Sequence, residues 1–169
     1  KLIGEEYAKV FAHIFQVPTV CLRYFNVFGP FQDPKSEYAA VIPRFTTMLM
    51  KDQRPIIHGD GRQSRDFTYI ENVVNANILA MLSPKIKHGE TINIACGESV
   101  SLLYITKRIA QILNKRIKPK HGPARAGDVK DSLADIRKAG RLIGYKPKIR
   151  VDEGLRRTVA WYKGHEKNI

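Results

Sequence analysis

The first fifteen residues have the spacing of an amphipathic helix. Apolar side chains recur at three- and four-residue steps, and the series is Ile3, Tyr7, Val10, Phe11 and Ile14. A helix usually opens with a Ser, Thr, Asp or Asn whose side-chain oxygen accepts a hydrogen bond from a free N–H group, and this stretch has none. Lys1 already lies inside the pattern. The helix therefore either frays into solvent or continues a segment that precedes Lys1.

Strand-like and helix-like segments alternate along the rest of the chain. β-branched and aromatic runs predict buried strands, three- and four-residue spacing predicts helices, and glycine- and proline-rich stretches predict loops. The predicted order is a strand over 17–25, a loop over 26–40, a helix over 41–50, two strands around a turn within 54–70, a helix over 71–83, a strand over 89–97, a helix over 101–114, a loop over 121–132, and helices over 135–144 and 152–164. Ser99 or Ser101 is available to cap the helix that starts near residue 101. Alternation of this kind is typical of an α/β fold.

Composition excludes several classes of protein. Of the 169 residues, 43% are hydrophobic and 27% are charged, which is the balance of a globular domain rather than a disordered chain. No apolar run approaches the roughly 20 residues that a membrane-spanning helix needs. The two cysteines, Cys21 and Cys96, lie in strand-like stretches, so we interpret them as free thiols in a reducing cytoplasm.

The net charge of +13 favours an anionic partner. The basic residues are nevertheless spread along the whole chain and are not interleaved with aromatic residues, which argues against a nucleic-acid-binding protein. The five histidines have no metal-ligand spacing. The pair Gly59 and Gly61 opens no helix at a third glycine, so it is neither a dinucleotide loop nor a P-loop. An acidic surface and a phosphorylated small molecule are the other anionic partners that the charge favours.

Arginines in two polar segments are the best candidates for binding a phosphate. Arg65 and Arg125 each follow a glycine-bearing turn, although both could equally be solvated surface residues. Asp66 and Asp128 lie in the same two segments and could orient the arginines, and Asp128 could instead bind a sugar hydroxyl. Asn26 follows a buried strand, where α/β sheets present ligand contacts, but asparagine is also a common turn former. Chemistry alone thus predicts a phosphate-binding part of an α/β protein.

Five segments carry a more specific signal, in order and at compatible spacings. They are RYFNVFGP (23–30), AAVIPRF (39–45), GDGRQSRDFTYIENVVNAN (59–77), PARAGDVKDSLADIRKA (123–139) and EGLRRTVAWY (153–162). Together they closely resemble the extended short-chain dehydrogenase/reductase family, and within it the UDP-sugar 4-epimerases. The resemblance implies an α/β fold made of the C-terminal part of such an enzyme. Residues 1–30 would be the remnant of the NAD-binding Rossmann domain, and residues 31–169 mainly the UDP-sugar-binding domain.

The resemblance also implies a cofactor and a reaction. Members of this family carry a Y-x-x-x-K pair, and Lys1 stands where that lysine is expected, with the tyrosine upstream of the chain. NAD, bound mainly by the preceding half, would take hydride from C4 of the hexose and return it to the other face. We therefore expect the 169-residue chain to be inactive alone. The family further implies a homodimer formed through the first helix.

The resemblance assigns cofactor and substrate contacts to residues of this chain, although the catalytic tyrosine has no counterpart in it. The implied cofactor contacts are Lys1, Tyr24 and Val27. The implied substrate contacts are Phe25 for the sugar, Asn26, Arg65 and Arg125 for the diphosphate, Asp128 for the ribose, Ala40, Val41, Ile42, Ile57 and His58 for uracil, with His58 acting mainly through its backbone, and Asn93 near the phosphates. Ser132 would lie beside the hexose 2-substituent, where a small side chain admits an N-acetyl group. It could also simply cap a helix beginning near Ala134.

Three alternatives stay open. A UDP-uronate 4-epimerase or a nucleotide-sugar dehydratase of the same family shares the phosphate-binding residues and differs around the hexose. A stand-alone nucleotide-sugar-binding module would use the same residues without any catalysis.

Overall fold

A computed structural model describes residues 1–35 and 40–165 of the chain. Ala40 is therefore described, whereas the four residues before it in the predicted loop, 36–39, lie outside the described ranges. Helices and strands follow one another in the order α1 (Leu2–Phe15), β1 (Val20–Tyr24), β2 (Val27–Phe28), α2 (Val41–Met50), β3 (Ile56–His58), β4 (Ser64–Arg65), β5 (Thr68–Tyr69), α3 (Ile70–Leu82), β6 (Glu90–Ile94), β7 (Val100–Ser101), α4 (Leu102–Ile112), β8 (Lys120–Gly122), α5 (Arg137–Ile143) and α6 (Val151–Gly164). The α/β class predicted from the alternation is confirmed.

The strands form pairs rather than one continuous sheet within these ranges. β1 pairs with β6 in parallel over five residues, and β2 with β5 and β3 with β8 are also parallel. β4 and β7 are antiparallel, and a single bridge joins Ser64 to Asp131. Parallel pairs need long crossover connections, which the intervening helices supply.

Two hydrophobic clusters hold these pairs together. The first packs α2, α4 and α6 around Phe28 and Phe67, and the second packs α3 and α5 against β6. Gly154 of α6 lets Phe28 approach closely, because a Cβ at Gly154 would lie 2.7 Å from Phe28 Cζ. The first cluster therefore forms the rigid base on which the loops after β1 and β3 are placed.

Helix α1 forms as predicted, with Lys1 at its N-cap position and no side-chain cap. Its apolar stripe is exposed: Ile3, Tyr7 and Ile14 retain 71%, 63% and 63% of their surface. Ala12 is the residue of α1 that is buried against the rest of the chain. Among the described residues, no helix is long and apolar enough to cross a membrane.

Helix caps test two of the sequence-based expectations. Ser101 caps α4, because its Oγ accepts a hydrogen bond from Tyr104 N–H at 3.2 Å. The expectation that Ser132 caps a helix near Ala134 is wrong, because α5 begins at Arg137 with Ile136 at the N-cap position. The Ser132 N–H donates to Ser64 O at 3.1 Å instead, so the segment is held in an extended form beside β4.

Candidate functional site

One cavity of about 260 Å³ brings most of the predicted site residues together. It lies between the carboxyl end of β1, the start of α2, the strands β3 and β4, and the segment that follows β8. Ten predicted residues line it: Asn26, Val27, Ala40, Val41, Ile42, Ile57, His58, Arg65, Arg125 and Asp128. They come from five separate stretches of sequence, so the fold itself assembles the site.

The cavity has an apolar wall and a polar wall. Ile42 and Ile57 are each 1% exposed and, with the half-buried Val41, they form the apolar side. Arg65 and Arg125 lie on the polar side with Asp128. A ligand that combines a flat apolar ring with an anionic group matches this arrangement.

Arg65 is fixed in place rather than solvated. Its Nη2 donates to Asp128 Oδ1, and its Nη1 donates to the backbone oxygens of Ser64 at 2.8 Å and Lys130 at 3.4 Å. Its side chain is 17% exposed, whereas that of Arg62, three residues earlier, is 83% exposed. The expectation that an aspartate orients an arginine is correct for Asp128.

Asp66 does not pair with an arginine, which corrects the second half of that expectation. The side chain is completely buried. Its Oδ1 accepts from Cys96 N–H at 2.9 Å, and its Oδ2 accepts from Gly97 N–H at 3.0 Å and Ala134 N–H at 3.4 Å. Burial raises the pKa of this carboxyl group, and the three N–H donors act in the opposite direction. Asp66 thus ties together the segments beneath Arg65.

Arg125 is held by a histidine. Its Nη2 lies 3.1 Å from His58 Nε2, and His58 Nδ1 lies 3.2 Å from Pro123 O. The backbone oxygen of His58 also accepts from Gln63 Nε2 at 2.6 Å. The half-buried histidine therefore joins β3 to the segment that carries Arg125.

Asn26 forms a turn, as one of its two interpretations predicted, and its position at the cavity keeps the ligand-contact interpretation as a prediction. Its φ of 34° lies in the left-handed region, which asparagine tolerates better than most residues. Its Nδ2 donates to Asp66 O at 3.2 Å, and its own backbone oxygen accepts from Thr68 N–H at 3.2 Å. Asn26 is thus a turn former that also lines the cavity.

Five predicted residues do not line this cavity: Lys1, Tyr24, Phe25, Asn93 and Ser132. Tyr24 donates from its hydroxyl to Asn77 Oδ1 at 3.0 Å, and Asn93 donates to Asp135 O at 3.3 Å. Lys1 is exposed at the start of α1.

Sequence reasoning missed seven lining residues: Phe28, Arg44, Phe45, Ile56, Gln63, Phe67 and Leu102. For Gln63 and Phe67 a signal was present, because they lie two residues before and after Arg65 and so share its face of an extended segment. Leu102 follows the cap of α4 and reaches the cavity only through tertiary packing.

Comparison with known proteins identifies the family. Residues 1–95, more than half of the chain, match the family described as the NAD dependent epimerase/dehydratase family. The chain belongs to this family. Its fold matches the C-terminal half of epimerase structures.

Three relatives of this epimerase-family chain illustrate the similarity. The solved UDP-glucose 4-epimerase of Thermotoga maritima, with UDP-glucose, has a TM-score of 0.92 and 35% identity over 98% of this chain and 52% of its own. The UDP-N-acetylglucosamine 4-epimerase of Methanobrevibacter ruminantium M1, in complex with UDP-N-acetylmuramic acid, has a TM-score of 0.88 and 41% identity over 95% of this chain and 51% of its own. The UDP-glucuronate 4-epimerase of Thermodesulfobacterium geofontis is 34% identical over 89% of this chain and 45% of its own length. The chain spans about half the length of the curated relatives it matches.

Membership of an NAD-dependent family directs attention to the carboxyl end of β1. Tyr24 is the last residue of β1 and Val27 is the first of β2, and Val27 also lines the cavity. In α/β proteins, ligands bind beyond the carboxyl ends of parallel strands. The carboxyl end of β1 therefore borders the cavity at the place where α/β proteins present ligand contacts.

Proposed function

We propose that this chain is the substrate-binding half of an NAD-dependent UDP-sugar 4-epimerase. The enzyme would interconvert UDP-glucose with UDP-galactose and UDP-N-acetylglucosamine with UDP-N-acetylgalactosamine. Residues 1–30 would belong to the NAD-binding domain and residues 31–169 mainly to the UDP-sugar-binding domain. The two free cysteines support a reducing, cytoplasmic location.

The cavity is the observation that carries this proposal. The apolar wall of Val41, Ile42 and Ile57 suits the uracil ring, and Arg65 and Arg125 suit the diphosphate. Asp128 would accept from a ribose hydroxyl with the oxygen that Arg65 leaves free. A volume of about 260 Å³ is slightly smaller than the roughly 300–1,000 Å³ of typical ligand pockets, which suits the nucleotide rather than the whole sugar nucleotide.

The residues of this chain would hold the substrate and leave the redox step to the cofactor. NAD, when bound, would supply the hydride acceptor and donor for C4, while the proton of the C4 hydroxyl would need a base outside this chain's described contacts. Lys1, Tyr24 and Val27 would contact the nicotinamide end, Phe25 the hexose, and Asn93 the region near the phosphates. If the protein binds only the UDP part of the substrate tightly, the hexose is free to present either face to the cofactor. Because the chain spans about half the length of its curated relatives, we expect no turnover by the 169 residues with added NAD.

UDP affinity measured by isothermal titration calorimetry tests the proposal. We expect saturable binding of UDP, weaker binding of UMP and little binding of uridine, because the arginines act on the phosphates. Arg65→Met should weaken UDP binding about tenfold or more, since a charge-assisted hydrogen bond contributes roughly 1.5–3 kcal/mol. Arg62→Met is the matched control, because its side chain is exposed in the neighbouring turn. No saturable UDP binding, or equal affinity for uridine and UDP, would contradict the proposal.

Ser132 carries the proposed range of sugars. A serine at this position would leave room for an N-acetyl group, and its backbone N–H holds it beside β4, which carries Arg65. In an enzyme completed with an NAD-binding half, Ser132→Tyr should remove activity on UDP-N-acetylglucosamine and preserve activity on UDP-glucose. Retained activity on the N-acetylated sugar would refute this role.

The exposed stripe of α1 supports a homodimer of the completed enzyme. Ile3, Tyr7 and Ile14 remain exposed in the chain, and a helix with such a stripe needs a surface to bury it against. Ile14→Glu should shift the completed enzyme from dimer to monomer in sedimentation analysis. An unchanged dimer would place the interface elsewhere.

A UDP-uronate 4-epimerase is the second candidate. It is favoured by the 34% identity to the UDP-glucuronate 4-epimerase of T. geofontis, which is close to the 35% identity to the UDP-glucose enzyme of T. maritima. Turnover of each UDP-sugar by the completed enzyme separates the two. A nucleotide-sugar dehydratase would instead eliminate water from its sugar substrate. A stand-alone binding module would bind UDP, and joining it to an NAD-binding half would not produce turnover of any UDP-sugar.

A further inference from the structure

The imidazole of His58 makes two contacts that together favour one tautomer. A guanidinium has five N–H donors and no acceptor, so Arg125 Nη2 must donate across the 3.1 Å to His58 Nε2. A backbone carbonyl only accepts, so His58 Nδ1 must carry the proton across the 3.2 Å to Pro123 O. Of the three forms of histidine, only the neutral one with the proton on Nδ1 satisfies both contacts.

Arg125 depends on this contact more than Arg65 depends on any single one. Arg65 is bound by one carboxylate and two backbone oxygens. Within residues 1–35 and 40–165, His58 Nε2 is the one acceptor that the Arg125 guanidinium reaches. Arg125 also lies on an exposed segment without helix or strand, so little else restricts its side chain.

The chemistry of the acceptor matters as much as its position. Asp128 holds Arg65 with a negative charge, which neutralises part of the positive charge that a phosphate would meet. A neutral imidazole holds Arg125 without opposing its charge. Arg125 is thus aimed at the cavity with its full positive charge available to an anion.

We propose that His58 is a positioning residue that holds Arg125 over the cavity for the diphosphate of the substrate. It does so through its side chain, as the neutral tautomer protonated on Nδ1. This role adds to the backbone contact with uracil assigned to His58 above, and it rests on the proposed function. The backbone supports it, because β3 pairs with β8 with His58 opposite Gly122, three residues before Arg125.

UDP affinities of a small set of variants test the role. His58→Phe keeps the ring shape and removes the acceptor, so it should weaken UDP binding about fivefold. His58→Gln places an oxygen near the position of Nε2 and should stay within twofold of the unaltered protein. His88→Phe, the same change at an exposed histidine away from the cavity, is the matched control and should have no effect.

A double-mutant cycle separates positioning from packing. In an Arg125→Met background, His58→Phe should have no further effect on UDP affinity, because there is no guanidinium left to hold. The proposal is overturned if His58→Phe binds UDP as well as the unaltered protein. It is also overturned if the loss is as large without Arg125, or if His58→Gln is as weak as His58→Phe.

The tautomer can be read without any ligand, which keeps this inference distinguishable from the proposed function. Long-range ¹⁵N–¹H NMR spectra of the ligand-free protein at neutral pH should show a protonated Nδ1 and an unprotonated Nε2 for His58. A proton on Nε2 would overturn the positioning role even if UDP binds. The expected tautomer in a protein that does not bind UDP would overturn the proposed function, and with it the assignment of Arg125 to a diphosphate.

Discussion

Replacing Asp66 by asparagine tests how the base of the site is held. The carboxylate is completely buried and accepts three backbone N–H groups, one on Oδ1 and two on Oδ2. An amide of the same shape keeps one oxygen and replaces the other by an NH₂ group. In its better orientation the oxygen faces Gly97 and Ala134, so the NH₂ group faces Cys96 N–H and leaves that donor without a partner.

The magnitude follows from three effects. An orphaned buried N–H costs about 1–3 kcal/mol, and the two remaining hydrogen bonds each weaken by about 0.5–1 kcal/mol because their acceptor is no longer charged. Relief of carboxylate burial, which raises the pKa of Asp66, offsets part of this loss. We expect Asp66→Asn to lower the free energy of unfolding by about 2 kcal/mol.

Urea denaturation at 25 °C measures this change, with the fluorescence of Trp161, the single tryptophan, as the probe. With a slope of about 2 kcal/mol per molar urea, the midpoint should fall by about 1 M. Asp60→Asn is the matched control, because the exposed Asp60 accepts from Arg62 N–H at 2.9 Å and an amide oxygen can replace that acceptor. Its free energy of unfolding should change by less than about 0.5 kcal/mol. If Asp66→Asn matches this control, the carboxylate does not hold the three donors and the reasoning is refuted.

Two further predictions concern packing and pH. Gly154→Ala should lower the free energy of unfolding by about 1–3 kcal/mol, because the new Cβ would meet Phe28. Gly164→Ala, in the same helix, places its Cβ in open space and should be neutral or slightly stabilising. Equal urea midpoints for the two variants would contradict this prediction. The hydrogen bond from the Arg137 side chain lowers the pKa of Asp135 from 3.8 to about 2, so its stabilising effect is present above about pH 4 and is lost as the pH falls towards 2. The difference in urea midpoint between the unaltered protein and Asp135→Asn should therefore shrink over that pH range, and a difference that grew on acidification would refute the assignment.

Elements with several turns or a clear period were predictable from the sequence. Helix α4 has both a Ser101 cap and apolar residues at helical spacing, and it begins one residue after that cap. The strands of two residues, such as β2 and β7, are too short to show any period, and β8 lies in a stretch that is rich in glycine and polar residues. Their pairing comes from partners distant in sequence, so no local pattern could reveal them.

The failed cap at Ser132 has the same origin. A serine followed by a helix-like pattern is a normal start signal, but a helix start needs free N–H groups in its first turn. Here the N–H of Ser132 donates to Ser64 O and that of Ala134 donates to Asp66. Tertiary hydrogen bonds therefore keep the segment extended, and α5 begins only at Arg137.

In the candidate site, too, the residue types were predictable from the sequence, whereas their long-range contacts were not. The arginines and Asp128 were predictable as residue types in polar, glycine-bearing segments. The contacts that fix them were not, because they join positions far apart: His58 lies 67 residues from Arg125, and Asp66 lies 30 residues from Cys96. A single sequence records which groups can pair but not which ones the fold brings together.

The register of the β3–β8 pair explains how residues distant in sequence are placed within hydrogen-bond distance of each other. The Lys120 N–H donates to Pro55 O at 2.8 Å at one end of the pair, and the Gly59 N–H donates to Gly122 O at 2.9 Å at the other. A slip by one residue would move the β8 side by about 3.3 Å, which is more than the whole length of the 3.1 Å contact between His58 and Arg125. It would also replace Gly122 by a different residue opposite His58. The register of this pair, which these two backbone hydrogen bonds help to fix away from the cavity, therefore sets where Arg125 lies relative to the cavity.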